Sequence, residues 1–150
     1  MHHPLSRRHL LRAGLAVGAA TVLRPAQACE FQAEMLRVVH PWTRATAADA
    51  TTAVLCMKFD EVIASDRLIG ASSPVASGAE MGGEERGRAV DVAVPEGSVT
   101  ELHEDGVHLR LTGLRHALHA GRSYPLTLEF ERSGTVLAQL SVDFTAMRFR

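Results

Sequence analysis

The chain has 150 residues, with 16 basic side chains against 17 acidic ones, and a formal net charge of −1 at pH 7. Four arginines, Arg7, Arg8, Arg12 and Arg24, lie in the first 28 residues, which hold no acid, so the remaining 122 residues carry a formal charge of −5. That balance argues against a nucleic-acid surface. The length allows one domain with a real core and no second, and beyond residue 28 no apolar run is long enough to cross a bilayer.

The N-terminus reads as an export signal. Ser6-Arg7-Arg8-His9-Leu10-Leu11-Arg12 is a charged region with paired arginines, followed by an apolar stretch from Ala13 to Leu23 and by Arg24-Pro25-Ala26-Gln27-Ala28. This is the layout of a signal peptide ending in an A-x-A site at Ala28. The apolar stretch is shorter than the roughly 20 residues of a permanent span. A cation between it and the cleavage site suits the twin-arginine route, which carries folded cargo. The expected division is a twin-arginine signal peptide over 1–28 and one exported domain over 29–150, working in the periplasm.

Two cysteines, Cys29 and Cys56, remain after cleavage. In an oxidising compartment an even pair is a disulfide candidate. Such a bridge would close a loop of roughly 27 residues and contribute about 3 kcal/mol in the chain-entropy picture. Cys29 also stands directly after the cleavage site, where a lipid anchor would attach, although Ala26 is smaller than the residue lipoproteins usually carry there. Free thiols or metal ligands are the third use.

Short runs of period-two alternation, separated by turn residues, continue along the exported part, and none holds a helical period for three turns. The pattern predicts an all-β domain. Leu36 to Val39 is a strand that His40-Pro41 ends or edges. Ala53 to Phe59 is apolar on both faces, as a central strand would be, and Arg67 to Ala71 is a short strand stopped by Ser72-Ser73-Pro74. Ala76 to Arg88, rich in Gly and charge, reads as an exposed loop.

Ala89 to Val94 and Val99 to Leu102 are strands joined by a Pro95-Glu96-Gly97 turn. Val107, Leu109 and Leu111 face one way and His108 and Arg110 the other. Leu126, Leu128 and Phe130 form the next buried face, and Val136 to Phe144 closes the sheet. Seven or eight short strands imply a sandwich or small barrel.

Several strings together carry more information than any one. His40-Pro41-Trp42-Thr43-Arg44-Ala45-Thr46, Asp66-Arg67-Leu68-Ile69-Gly70-Ala71-Ser72-Ser73-Pro74, Val94-Pro95-Glu96-Gly97, Gly106-Val107-His108-Leu109 and Leu126-Thr127-Leu128-Glu129-Phe130-Glu131 resemble, in order and at similar spacing, the periplasmic copper chaperone family PCu(A)C. The resemblance implies a Greek-key, cupredoxin-like β-sandwich that binds Cu(I) and passes it to a copper-receiving protein such as a terminal oxidase subunit.

The family's ligands are a His and a Met, followed further on by a His-x-Met pair. Thioether sulfur is a soft donor that prefers Cu(I), and imidazole adds affinity without charge. Here His108 stands at the third ligand position and Arg110 replaces the Met of the pair. Ala79-Glu80-Met81 stands where the family has His-Glu-Met, and no Met lies near Arg86 to Arg88 for the second ligand. Met81, read as an exposed loop residue, together with His108 would make a two-coordinate soft site, while Arg110 would repel a cation.

Cys56 and Met57 are neighbours on a strand and point to opposite faces, so they do not readily share a metal. His116 and His119 read as a solvated loop pair, His103 as a turn residue, and His40 with Trp42 as structural. Glu84-Glu85 and Glu104-Asp105 read as solvated loop charge, and no glycine loop for phosphates or nucleophile with a base is present. The expected function is a non-enzymatic, exported copper-binding or copper-trafficking protein. The alternative is a metal-free β-sandwich that serves as an interaction or assembly module, and a thiol-disulfide partner using Cys29 and Cys56 is a third class.

Overall fold

A computed structural model describes residues 29–143. Ten strands follow in order: β1 (Glu30–Gln32), β2 (Arg37–Arg44), β3 (Thr52–Asp60), β4 (Asp66–Ser72), β5 (Gly78–Met81), β6 (Val92–Val94), β7 (Thr100–Leu102), β8 (Leu109–Thr112), β9 (Ser123–Phe130) and β10 (Gly134–Asp143). The only helical element among the described residues is a single 3₁₀ turn at Gly83–Glu85. The expected signal, residues 1–28, and Phe144 lie outside the described residues.

The strands form one curled sheet in the order β5-β8-β3-β2-β10-β9-β4-β6, with β1 added beside β2 and β7 beside β3. All pairings are antiparallel except β2 with β10, which run parallel with Trp42 opposite Ser141. Curling brings the two halves face to face as a β-sandwich. Phe59 of β3 meets Phe130 of β9 edge-on across the core, with ring centroids 5.6 Å apart, the offset geometry aromatic rings prefer.

Alternation along the strands decides what fills the space between the layers. Ala53, Leu55, Met57 and Phe59 on β3, Leu126, Leu128 and Phe130 on β9, and Val136, Ala138, Leu140 and Val142 on β10 all belong to one buried cluster. Successive side chains on a strand point to opposite faces, so Val54, Cys56 and Lys58 lie on the outer side of β3. Asp66 fixes one end of the sandwich. Its carboxylate accepts N–H bonds from Arg67 at 2.8 Å, Arg132 at 2.8 Å and Ser133 at 2.9 Å, tying the start of β4 to the β9–β10 turn.

Two expectations from the sequence are corrected. First, His40-Pro41 does not end a strand: β2 runs through it to Arg44. Proline has no N–H to give the ladder, and the β2–β3 register shifts between Val39 and Trp42. His40 takes a positive φ of 45° in that bulge, and its N–H goes instead to the Cys29 carbonyl at 2.7 Å.

Second, the Gly-rich stretch after Ala76 is not all loop, because Gly78–Met81 pairs residue for residue with β8. The strands β6 and β7, joined by the turn at Pro95-Glu96-Gly97, pair apart from each other: β6 with β4 and β7 with β3.

Candidate functional site

His108 lies one residue before β8. Its carbonyl accepts the Gly82 N–H at 2.8 Å, which extends the β5–β8 ladder by one pair. Directly opposed residues share a face, so Gly82 and His108 point outward while the next pair, Met81 and Leu109, points into the core. The imidazole covers the Gly82 backbone: a Cβ there would fall 2.2 Å from His108 Cδ2 and 2.3 Å from Nε2. Only glycine leaves room for the ring.

The ring is oriented from its other edge. His108 Nδ1 is 2.9 Å from the Gly106 carbonyl, and a carbonyl oxygen only accepts, so Nδ1 carries the hydrogen. In the neutral ring Nε2 then keeps its lone pair. His108 is 8 % exposed and forms one wall of a cleft of about 380 Å³ whose other walls are the Gly83–Glu85 turn and the Glu104–Val107 turn.

Four carboxylates, those of Glu84, Glu85, Glu104 and Asp105, line this cleft. Such a rim favours approach of a cation. Glu104 is already engaged by the Arg44 guanidinium, with Arg44 Nε 2.8 Å from Oε2 and Nη2 on Oε1. The hydrogen bond from Arg44 holds the Glu104 carboxyl below the usual carboxylate range, against the opposing pull of burial. The same bond raises Arg44 above the ordinary guanidinium value.

The other sequence-selected residues fall differently. Met81 is 1 % exposed, packs in the core, and its Sδ accepts the Asp91 N–H at 3.4 Å. Its reading as an exposed loop residue is therefore corrected. Met81 and His108 leave the β5–β8 ladder on opposite sides. Arg110 shares the outer face with His108 and leans on Glu80, its cross-strand neighbour, with Nη2 3.5 Å from Oε1. Its Nε is buried with no hydrogen-bond partner. Among the described residues, no group of three or more His, Cys, Asp or Glu side chains is arranged to hold a metal ion.

Both cysteines are free thiols, so the expected disulfide is not present. Strand β2 explains the separation. Cys56 pairs with Trp42 across the β2–β3 edge, whereas Cys29 precedes β1 on the opposite edge of β2, with its Sγ 4.0 Å from Ser141 Oγ. Two strand spacings of about 4.8 Å separate such positions, beyond the roughly 7 Å over which Cα atoms can be bridged. Cys56 is fully buried, and burial pushes its thiol up to about 12.

His40 is buried in its bulge with Nε2 3.7 Å from Asp143 Oδ2, beside the buried Trp42. His103 sits in the β7–β8 turn, where its Nδ1 accepts the Asp105 N–H at 3.2 Å. His116 lies in a loop with its ring 5.7 Å from that of Tyr124. Sequence reasoning missed Gly82, Gly106, Arg44 and Glu104 as parts of the His108 corner. The Gly82-Gly83 pair facing a strand histidine was the available signal, while the Arg44–Glu104 pair spans 60 residues and left none.

The curled ten-strand sandwich is similar in fold to PCuAC domains of known structure. The chain belongs to the putative lipoprotein LpqE-like family, whose profile matches residues 36–142. A twin-arginine translocation signal matches residues 4–23, which makes this an exported protein of the periplasm or cell envelope.

Among solved structures, the copper-bound PCuAC domain from PmoF2 is 26% identical over 77% of this chain and 98% of that one, with a TM-score of 0.69. The apo PmoF2 PCuAC domain is 26% identical over 80% and 99%, with a TM-score of 0.68. The Cu(I) form of DR1885 from Deinococcus radiodurans, at 20% identity over 76% and 82% and a TM-score of 0.63, shares the fold. No curated protein matches the chain.

Proposed function

We propose that this domain is a copper-chaperone-like binding protein of the cell envelope, not an enzyme, with His108 as a donor to a Cu(I) ion carried as cargo. One observation carries the reading: a nearly buried imidazole whose Nδ1–H is held by the Gly106 carbonyl, leaving a lone pair at Nε2 beside an acid-lined cleft. The 26% identity to a copper-bound PCuAC domain supports it. An ion held by few ligands can accept a donor from a partner before it loses His108. Delivery to a copper-receiving protein, such as a terminal oxidase subunit, is then a ligand exchange.

Arg110 works against tight retention. A cation about 4 Å from a second cation costs about 1 to 4 kcal/mol at the dielectric of a protein surface, and the neighbouring Glu80 offsets part of it. Met81 would join His108 only if its side chain left the core for the outer face. The test is a Cu(I) titration against a competing chelator, comparing the protein with His108→Ala. Equal affinities would sink the reading.

A second reading has its own observation. Arg110, at the position where the resemblance puts a Met ligand, pairs with Glu80, so its charge has a partner without a metal. On that reading it is an interaction or assembly module, and a folded protein that binds no copper would favour it.

A further inference from the structure

The His108 corner is tied to a distant strand through one ion pair. Arg44, the last residue of β2, grips both carboxylate oxygens of Glu104, 60 residues later. With both oxygens occupied, Glu104 is an anchor and not an open ligand. The pair closes over Cys56, which is fully buried on the outer side of β3, and the Glu104 backbone N–H faces that thiol.

From this anchor the turn is built bond by bond. The His103 N–H reaches the Val107 carbonyl at 2.8 Å and the Gly106 N–H reaches the His103 carbonyl at 2.9 Å. That turn aims the Gly106 carbonyl at His108 Nδ1. In metal sites, a carbonyl or carboxylate on the far nitrogen sets which imidazole nitrogen is left to bind.

We propose that Arg44 and Glu104 are positioning residues for His108, holding the 103–107 turn so that the ring stays in its Nδ1–H form with Nε2 free for a cation. The inference rests on reading His108 as a donor, but its test does not depend on copper. Imidazole side chains free in water favour the opposite, Nε2–H form, so the clamp has a direct signature.

Long-range ¹⁵N–¹H correlation spectra of the metal-free, ¹⁵N-labelled protein report the His108 tautomer. The wild type is expected to show Nδ1–H. Glu104→Gln and Arg44→Met, checked for folding by thermal melting, are expected to shift His108 toward Nε2–H and to weaken copper binding about 10- to 100-fold. Arg44→Lys, which keeps the charge and loses the fork, should fall between. If Arg44→Met does not fold, Glu104→Gln decides.

An Nε2–H form in the wild type, or an unchanged tautomer in the folded variants, overturns the inference. A wild type that binds no copper defeats the functional reading alone, since the tautomer still tests the clamp.

Discussion

Gly82 and His108 occupy one space: the glycine's missing Cβ is where the imidazole edge lies, 2.2 Å from Cδ2. Gly82 has a φ of −107°, which any residue can adopt. The constraint is therefore contact, not backbone conformation. Gly82→Ala should expel the ring from its seat, break the Nδ1 bond to Gly106, and cost about 1–3 kcal/mol as an overpacking change. Urea denaturation would check this, and a loss under 0.5 kcal/mol would show that the ring relocates freely.

Met81 offers a way to separate packing from ligation. Truncating a buried Met to Ala costs about 2–5 kcal/mol, whereas the volume-conserving Met81→Leu should cost under about 1.5 kcal/mol. We expect Met81→Leu to leave copper affinity unchanged. A tenfold loss in the chelator competition would instead make Met81 a ligand.

Arg110→Met replaces a cation with a soft sulfur on the same face as His108. Copper affinity should rise at least tenfold, equivalent to about 1.4 kcal/mol, and the gain should vanish in the His108→Ala background. Competition titrations of the single and double variants check both statements. An unchanged affinity would mean that the outer face of β8 does not meet the ion.

The cysteines make a chemical prediction. Intact mass should be the same before and after reduction, and an alkylating reagent should modify Cys56 only after unfolding, because the thiol is buried and raised to about 12. A mass lower by two hydrogens before reduction would show a bridge. A gain of lipid mass would place an anchor at Cys29.

Acid should unfold the domain through identifiable carboxylates. The Arg37 hydrogen bond holds Asp60 below the ordinary range. Burial pushes Asp66 up but is outweighed by hydrogen bonds from Ser133, Arg132 and Arg67, and the net direction is down. Glu104 is lowered by Arg44. Groups depressed in the folded state contribute stability that is complete above their unfolded values, about 4, and lost as pH falls through the folded ones. Urea midpoints should be flat from pH 7 to about 5 and fall below that. A midpoint unchanged down to pH 2.5 would contradict this assignment.

The long alternating runs were legible because burial follows period two wherever one sheet face meets the core. Val136 to Val142 shows this directly, and Ala53 to Phe59 departs from it only at the buried Cys56. Pro41 misled because proline's missing N–H ordinarily stops a strand, and here a bulge absorbs the defect with help from the Cys29 carbonyl. Met81 misled because its neighbours Gly82, Gly83 and Glu84 have loop chemistry, while its burial comes from pairing with Leu109 far along the chain. His108 was singled out by its motif, and the structure shows it as a nearly buried ring beside a cleft. The groups that orient it were not singled out, since the Arg44–Glu104 contact is created only when β2 and the β7–β8 turn meet.

The parallel pairing of β2 with β10 has a consequence for timing. It is the seam between the two halves of the sheet order, and it joins an early strand to the last one described. The seam can zip only after β10 has followed β2 by about a hundred residues, and contacts so distant in sequence form slowly. A twin-arginine signal defers translocation until its passenger has folded. Among the described strands β10 comes last in the chain and joins the two halves of the sheet order, so closure of the sheet waits on it.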